Sequence, residues 1–288
     1  SAPQPLAVEA GARMLADGGN AFDAAITCAA VQFLVDPHSC GLGGYMVMTS
    51  WSATEGASNQ IIDAPAIAGS RVSPDMWEDI LIGPNPDGWG FFLEDKVNED
   101  GYQSICVPGI GRGLELVHDR WCTRGWGELL EPAIRIAEDG WIVGALQAAR
   151  WKEPSGFYEG SSSREKLEVT PAARKIFLKD DGSTYEMDET ISNPDYAASL
   201  RRIVEAGPGD LFNGELAGRM AGDLAANGSW VTAEDLATYE VREEEPVVVS
   251  YRDYTVVSNQ SPHGGPTLAA MFNILEGYDL AAMEPNSP

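Results

Sequence analysis

Between Ala21 and Val35 the chain reads AFDAAITCAAVQFLV, apolar on nearly every side of a helix rather than along one stripe. A helix of that kind has to be covered all round, by protein or by lipid. The run is too short to span a bilayer and carries Asp23, Thr27 and Gln32, so it reads as a helix buried in a protein core. It stops at Asp36-Pro37. His38, Ser39, Cys40 and the glycines Gly41, Gly43 and Gly44 follow, and the strand-like YMVMTSW (45–51) begins at once. Either a site has been cut into this turn or it is a tight corner between two buried elements.

Length and charge narrow the field. A chain of 288 residues can bury a substantial core, as one large domain or two small ones. Its formal net charge of -25 repels nucleic acid and anionic membranes, so neither is expected as a partner. The start, SAPQPLAVEAG, lacks the basic end and apolar centre of a targeting signal, although a segment removed before Ser1 stays open. The compartment is left open between cytoplasm, periplasm and secretion. Cys28, Cys40, Cys106 and Cys122 form no C-x-x-C pair, and His38, His118 and His263 form no H-x-x-x-H pair. No metal site is expected.

Further elements follow from periodicity and punctuation. Leu6, Ala10, Met14 and Leu15 fall at helical spacing, ended by Gly18-Gly19-Asn20. NQIID (59–63) reads as a second strand, joined to 45–51 by a Ser/Gly-containing turn. Residues 75–101 show no clean period and read as mostly irregular surface. A Pro-Gly turn precedes a helix ending near Trp121, with Leu114, Val117 and Trp121 on one face and His118 beside it in a packing role. An amphipathic helix in 125–141 ends at Gly140, and 151–193 reads as polar and broken, with 159–166 an exposed loop. Helices are expected near 194–206 and 213–227. Thr232 and Asp235 cap a short one, PVVVSYRDYTVVSNQ (246–260) is a hairpin turning at Arg252-Asp253, and 267–280 is a last helix. The class is mixed α/β without a βαβ repeat.

Neither glycine turn names a reaction by itself. Gly41-Leu42-Gly43-Gly44 runs from helix into strand, the reverse of a dinucleotide-binding turn, and lacks a P-loop lysine. His263-Gly264-Gly265-Pro266 runs from strand into helix, where backbone N–H groups can face an anion or a carbonyl, though plain turns look the same. No G-x-S-x-G elbow is present.

Taken together, the segments resemble the large subunit of the γ-glutamyltranspeptidase family. AVEAGARMLADGGNAFDAAITCAAVQFLVDPHSCGLGGYMVM resembles the family's opening, and DAPA (63–66), VPG (107–109), GWGELLEPAIRIAEDGW (125–141), FNGELAGRMAGDL (212–224), LATYEVREEEP (236–246) and the segment 251–280 follow in its order. The resemblance implies an N-terminal-nucleophile hydrolase: a four-layer αββα sandwich, α/β (α+β) in class, completed by a second, small-subunit chain. It implies one domain over 1–288, the large subunit of an autoprocessed heterodimer, with a dimer of heterodimers compatible. The nucleophile would be the N-terminal Thr of the small subunit cut from the same precursor, its own amine acting as base. No catalytic residue and no metal or organic cofactor is then expected in this chain. By the same resemblance Asp63, Ala64, His263, Gly264 and Gly265 line the pocket for a small-molecule amide substrate. The turn at 36–44 becomes a packing corner whose glycines let helix and strand approach closely.

Two departures matter. Members that take γ-glutamyl compounds carry R-E-x-A-P, whose Arg holds the α-carboxylate. Aligning Ala64-Pro65 with A-P puts Ile61 at the Arg position, and Arg71 is the nearest alternative cation in sequence. Large subunits of the family also continue beyond the point that matches Pro288. The expected function is therefore that of an amidohydrolase large subunit that is not a strict γ-glutamyl enzyme. A true γ-glutamyltransferase or glutathione hydrolase, and an inactive binding or structural subunit, are the alternatives. The first residue of the companion chain separates the last of these from the enzymes.

Overall fold

A computed structural model of the chain describes residues 1–53, 58–85, 88, 90–153 and 160–284. The chain divides into two compact units, Ser1–Gly44 with Ala66–Tyr239, and Tyr45–Pro65 with Glu240–Pro288.

The first unit is mainly helical. Helix α1 (Pro5–Ala16) packs on α2 (Ala21–Val35), the fully apolar run. Asn20 and Asp23 close a capping box on α2, each side chain accepting from the other's backbone N–H. Asp23 is wholly buried and also accepts from Thr123 N, Thr123 Oγ1 and Arg124 N, which ties the end of the next helix to the start of α2. Burial alone would raise its pKa, but the hydrogen bonds from Thr123, Asn20 and Arg124 outweigh this and hold it below its ordinary value.

Helices α3 (Ile110–Trp121) and α4 (Trp126–Asp139) both pack on α2, and Gly140 ends α4 as expected. His118 stacks on Trp126 with ring centroids 4.3 Å apart, a packing role. Val31, Leu34, Leu130, Ile134, Leu200 and Ile203 form the centre of the core.

The polar stretch after Trp151 is more ordered than expected. After α5 (Ala145–Trp151) come α6 (Ser163–Glu168) and α7 (Pro171–Phe177). The predicted loop at 159–166 is corrected by α6: Ser162 and Glu165 form a capping box, which nucleates a short helix that periodicity does not reveal. Glu159 lies outside the described residues. Helices α8 (Pro194–Ala206), α9 (Asp210–Asn213), α10 (Glu215–Ala226) and α11 (Ala233–Ala237) complete the unit, the last capped by Thr232 and Asp235 as read.

The second unit carries a sheet of β1 (Met46–Ser52), β2 (Ser58–Ala64) and β7 (Arg242–Glu244), all antiparallel, in the order β1-β2-β7. The turn predicted between β1 and β2 falls at 54–57, outside the described residues. The first unit supplies β3 (Leu81–Pro84) with β4 (Phe91–Leu93), a short strand pair within the otherwise mostly irregular stretch 75–101, and a pair β5 (Trp141–Ile142) with β6 (Thr190–Ile191). The apolar pairs Leu81-Ile82 and Phe91-Phe92 are too short for a period to show. Hairpin β8 (Val247–Tyr251) and β9 (Tyr254–Ser258) turns at Arg252-Asp253 as predicted, and α12 (Gly265–Leu275) follows.

The 36–44 turn needs a correction too. A Cβ at Gly41 or Gly43 would meet nothing within 4 Å, so close packing is not why these two stand there, whereas at Gly44 a Cβ would lie 3.0 Å from Gly41 O within the turn itself. The turn is instead tied by hydrogen bonds: Gly44 N donates to Gly41 O, and Gly44 O accepts from Gly109 N and Ile110 N at the start of α3.

Candidate substrate-binding site

Side chains alternate across a strand, so Ile61 and Asp63 share one face of β2 while Ile62 and Ala64 share the other. Both faces are covered: Ile61 is 1% exposed and Asp63 and Ala64 are 0% exposed. The hairpin β8–β9 ends in the loop that leads to α12. There His263 Nε2 lies 3.0 Å from Asp63 Oδ1, joining two sequence-predicted site residues that are 200 positions apart. An ionised carboxylate only accepts, so the imidazole donates through Nε2.

The loop is built to hold that contact. His263 N donates to Gln260 O, and Gly265 N donates to Asn259 Oδ1 at 2.9 Å. A Cβ on Gly265 would fall 1.8 Å from Asn259 O, so only glycine fits. Gly264 is exposed at the N-cap of α12, and a Cβ there would meet nothing. Of the five predicted residues, Asp63 and His263 are in direct contact. Ala64 adjoins Asp63 from the opposite face, and Gly264 and Gly265 carry the loop. Sequence reading missed Asn259, which anchors the loop, and Glu244. The latter sits on β7 directly opposite Ile61, in a run of glutamates that reads only as a solvated surface.

Charge at this site is negative. Asp63 Oδ2 and Glu244 Oε2 are both enclosed without a hydrogen-bond partner. The second unit holds two cationic side chains, Arg242 and Arg252. Arg242 is exposed on β7 opposite Asp63, and Arg252 bonds to Tyr278 O at the far end of the hairpin. Arg71 belongs to the first unit, is exposed, and donates its backbone N–H to Trp230 O.

The other histidines are differently placed. His118 has both ring nitrogens engaged, with Asp119 and with Arg124 O. His38 Nε2 is 3.0 Å from Asp36 Oδ1 without hydrogen-bond geometry, and its Nδ1 is enclosed. Burial pushes the His38 imidazole below its ordinary pKa, despite the opposing pull of Asp36. Elsewhere, a cavity of about 670 Å³ lies between α1 and α4 in the first unit, but its arginines are paired: Arg13 with Glu9, Arg124 with Glu128, Arg135 with Glu131. Among the described residues no group of three His, Cys, Asp or Glu is placed to hold a metal ion, and no helix is long and apolar enough to cross a membrane.

A family model described as Gamma-glutamyltranspeptidase matches residues 7–288. The chain belongs to the γ-glutamyltranspeptidase family. It is 31% identical to "Acylase ACY 1 proenzyme" of Pseudomonas sp. (strain V22), over 97% of this chain and 48% of that protein. It is 29% identical to "Glutathione hydrolase proenzyme" of Escherichia coli (strain K12), over 95% of this chain and 44% of that one. The chain thus spans about half the length of the curated relatives it matches. Its fold is similar to that of Helicobacter pylori gamma-glutamyltranspeptidase, with a TM-score of 0.87 at 30% identity, over 100% of this chain and 77% of that chain. The expected fold class, that of the family's N-terminal-nucleophile hydrolases, is thereby met. The family comprises hydrolases and transferases, and names of both an acylase and a glutathione hydrolase stand among its members here.

Proposed function

We propose that this chain is the large subunit of an autoprocessed amidohydrolase that cleaves an amide by acyl transfer to the N-terminal Thr of a small subunit cut from the same precursor. In this reading Asp63, Ala64, His263, Gly264 and Gly265 form one wall of the acyl pocket. Two observations support a partner chain. The matched relatives are proenzymes about twice as long. Helix α12 is apolar almost throughout, yet Met271 and Ile274 are more than half exposed and only Gly265 is buried.

The observation that carries the specificity is Ile61, an enclosed aliphatic residue where the clamping Arg would stand. A charge-assisted hydrogen bond contributes about 1.5–3 kcal/mol, and a tenfold change is about 1.4 kcal/mol. Without the clamp, a γ-glutamyl group loses about ten- to a hundredfold in kcat/KM. The test compares γ-glutamyl-p-nitroanilide with butyryl-p-nitroanilide on the processed enzyme. The butyryl compound is expected to be the better substrate. A clear preference for the γ-glutamyl compound restores the second reading, a γ-glutamyltransferase or glutathione hydrolase, which the 29% identity to a glutathione hydrolase supports.

A further inference from the structure

The Asp63–His263 pair does more than hold a loop. We propose that it presents His263 Nδ1 as a hydrogen-bond acceptor for an amine on the substrate's acyl chain, so that the pocket selects acyl groups bearing an ammonium and rejects those bearing a carboxylate. This rests on the function proposed above and names its substrate class.

Four observations converge. Nε2 is committed to a fully buried carboxylate, which fixes the tautomer and leaves the Nδ1 lone pair available. Nδ1 has no partner among the described residues and, unlike that of His38, is not enclosed. Beside the pair, Asp63 Oδ2, and Glu244 Oε2 across the strand from Ile61, are enclosed acidic oxygens without a hydrogen-bond partner. The nearest cation in register, Arg242, is exposed and makes no hydrogen bond to Asp63. An acceptor nitrogen in a negative field favours a cationic donor and repels an anion. Asp63 is enclosed and acts through His263 as a positioning residue, while His263 makes the contact.

A matched series separates the groups that γ-glutamyl carries together. The 4-aminobutyryl, butyryl and glutaryl p-nitroanilides have an ammonium, nothing, or a carboxylate on the same carbon. With the processed two-chain enzyme, kcat/KM is expected to fall about threefold from the 4-aminobutyryl to the butyryl compound and about thirtyfold from butyryl to glutaryl, so that γ-glutamyl, which carries both groups, stays below butyryl. His263→Gln keeps a donor for Asp63 but moves the remaining acceptor, its Oε1, away from the Nδ1 position, so it should weaken the preference while the protein stays folded. Independently of turnover, ¹⁵N-histidine NMR should show His263 as the Nε2–H tautomer. Its Nδ1 resonance should move with 4-aminobutyramide and not with butyramide, and Asp63→Asn should remove that response. An Nδ1–H tautomer, an unresponsive Nδ1, or a glutaryl preference would overturn the proposal. If the precursor is not cut or no anilide is cleaved, the amidohydrolase reading falls, while the NMR measurements on the uncut protein still decide the role of His263.

Discussion

Asp210 shows what single residues do in the shared motifs. Its carboxylate accepts from Glu215 N and Leu216 N at the start of α10 and pairs with Arg202 in two hydrogen bonds. Gly214 is required beside it, because a Cβ there would lie 2.0 Å from Asp210 Oδ1. The segment FNGELAG, legible as a family block, is therefore a capping device. The Arg202 guanidinium, against the opposing effect of burial, holds Asp210 down to about 2 from an ordinary 3.8. A carboxylate depressed in the folded state stabilises fully above its unfolded pKa and loses that stabilisation as pH falls through the folded one. Arg202 is 35% exposed, so screening trims the gain to about 1–2 kcal/mol. Asp210→Asn should lower urea stability by that amount at pH 7, with about half of the gap gone at pH 3. An unchanged gap across this range would mean that the charge does not matter. At this scale Asp63 and His263 were legible as site candidates, but their hydrogen bond was not, since nothing local in either segment points to the other.

Among elements, length decided what could be read. The long helices α1, α2 and α4 stood out by period and end signals, and β8–β9 by its alternation around a charged turn. Helix α6 and the hairpin β3–β4 escaped, because elements of a turn or two are fixed by caps and tertiary packing rather than by pattern. The loop before α12 is the element on which the site depends. Gly265→Ala pushes a methyl group into the Asn259 backbone and should cost about 1–3 kcal/mol, shifting the His263 imidazole resonances as the Asp63 contact is disturbed. Gly264→Ala, one residue earlier and facing open space, should change stability by less than about 0.5 kcal/mol. Equal effects in thermal melts of the two variants would remove the loop from the account.

Over the whole molecule, the sequence carried the family through ordered blocks, and the structure gives several of them a physical cause. The GGNAFDAA segment is the Asn20–Asp23 capping box, and the 263–265 glycine loop is a close approach to Asn259. What neither supplies is the second chain. The small subunit proposed above is supported by the half-length coverage of proenzymes and by the exposed apolar residues of α12. The most direct measurement is to express the complete precursor and sequence the amino terminus of the smaller fragment. The account predicts cleavage into two associated chains, the smaller beginning with Thr. A precursor that stays intact, or a small chain beginning with a residue that has no nucleophile, would contradict it.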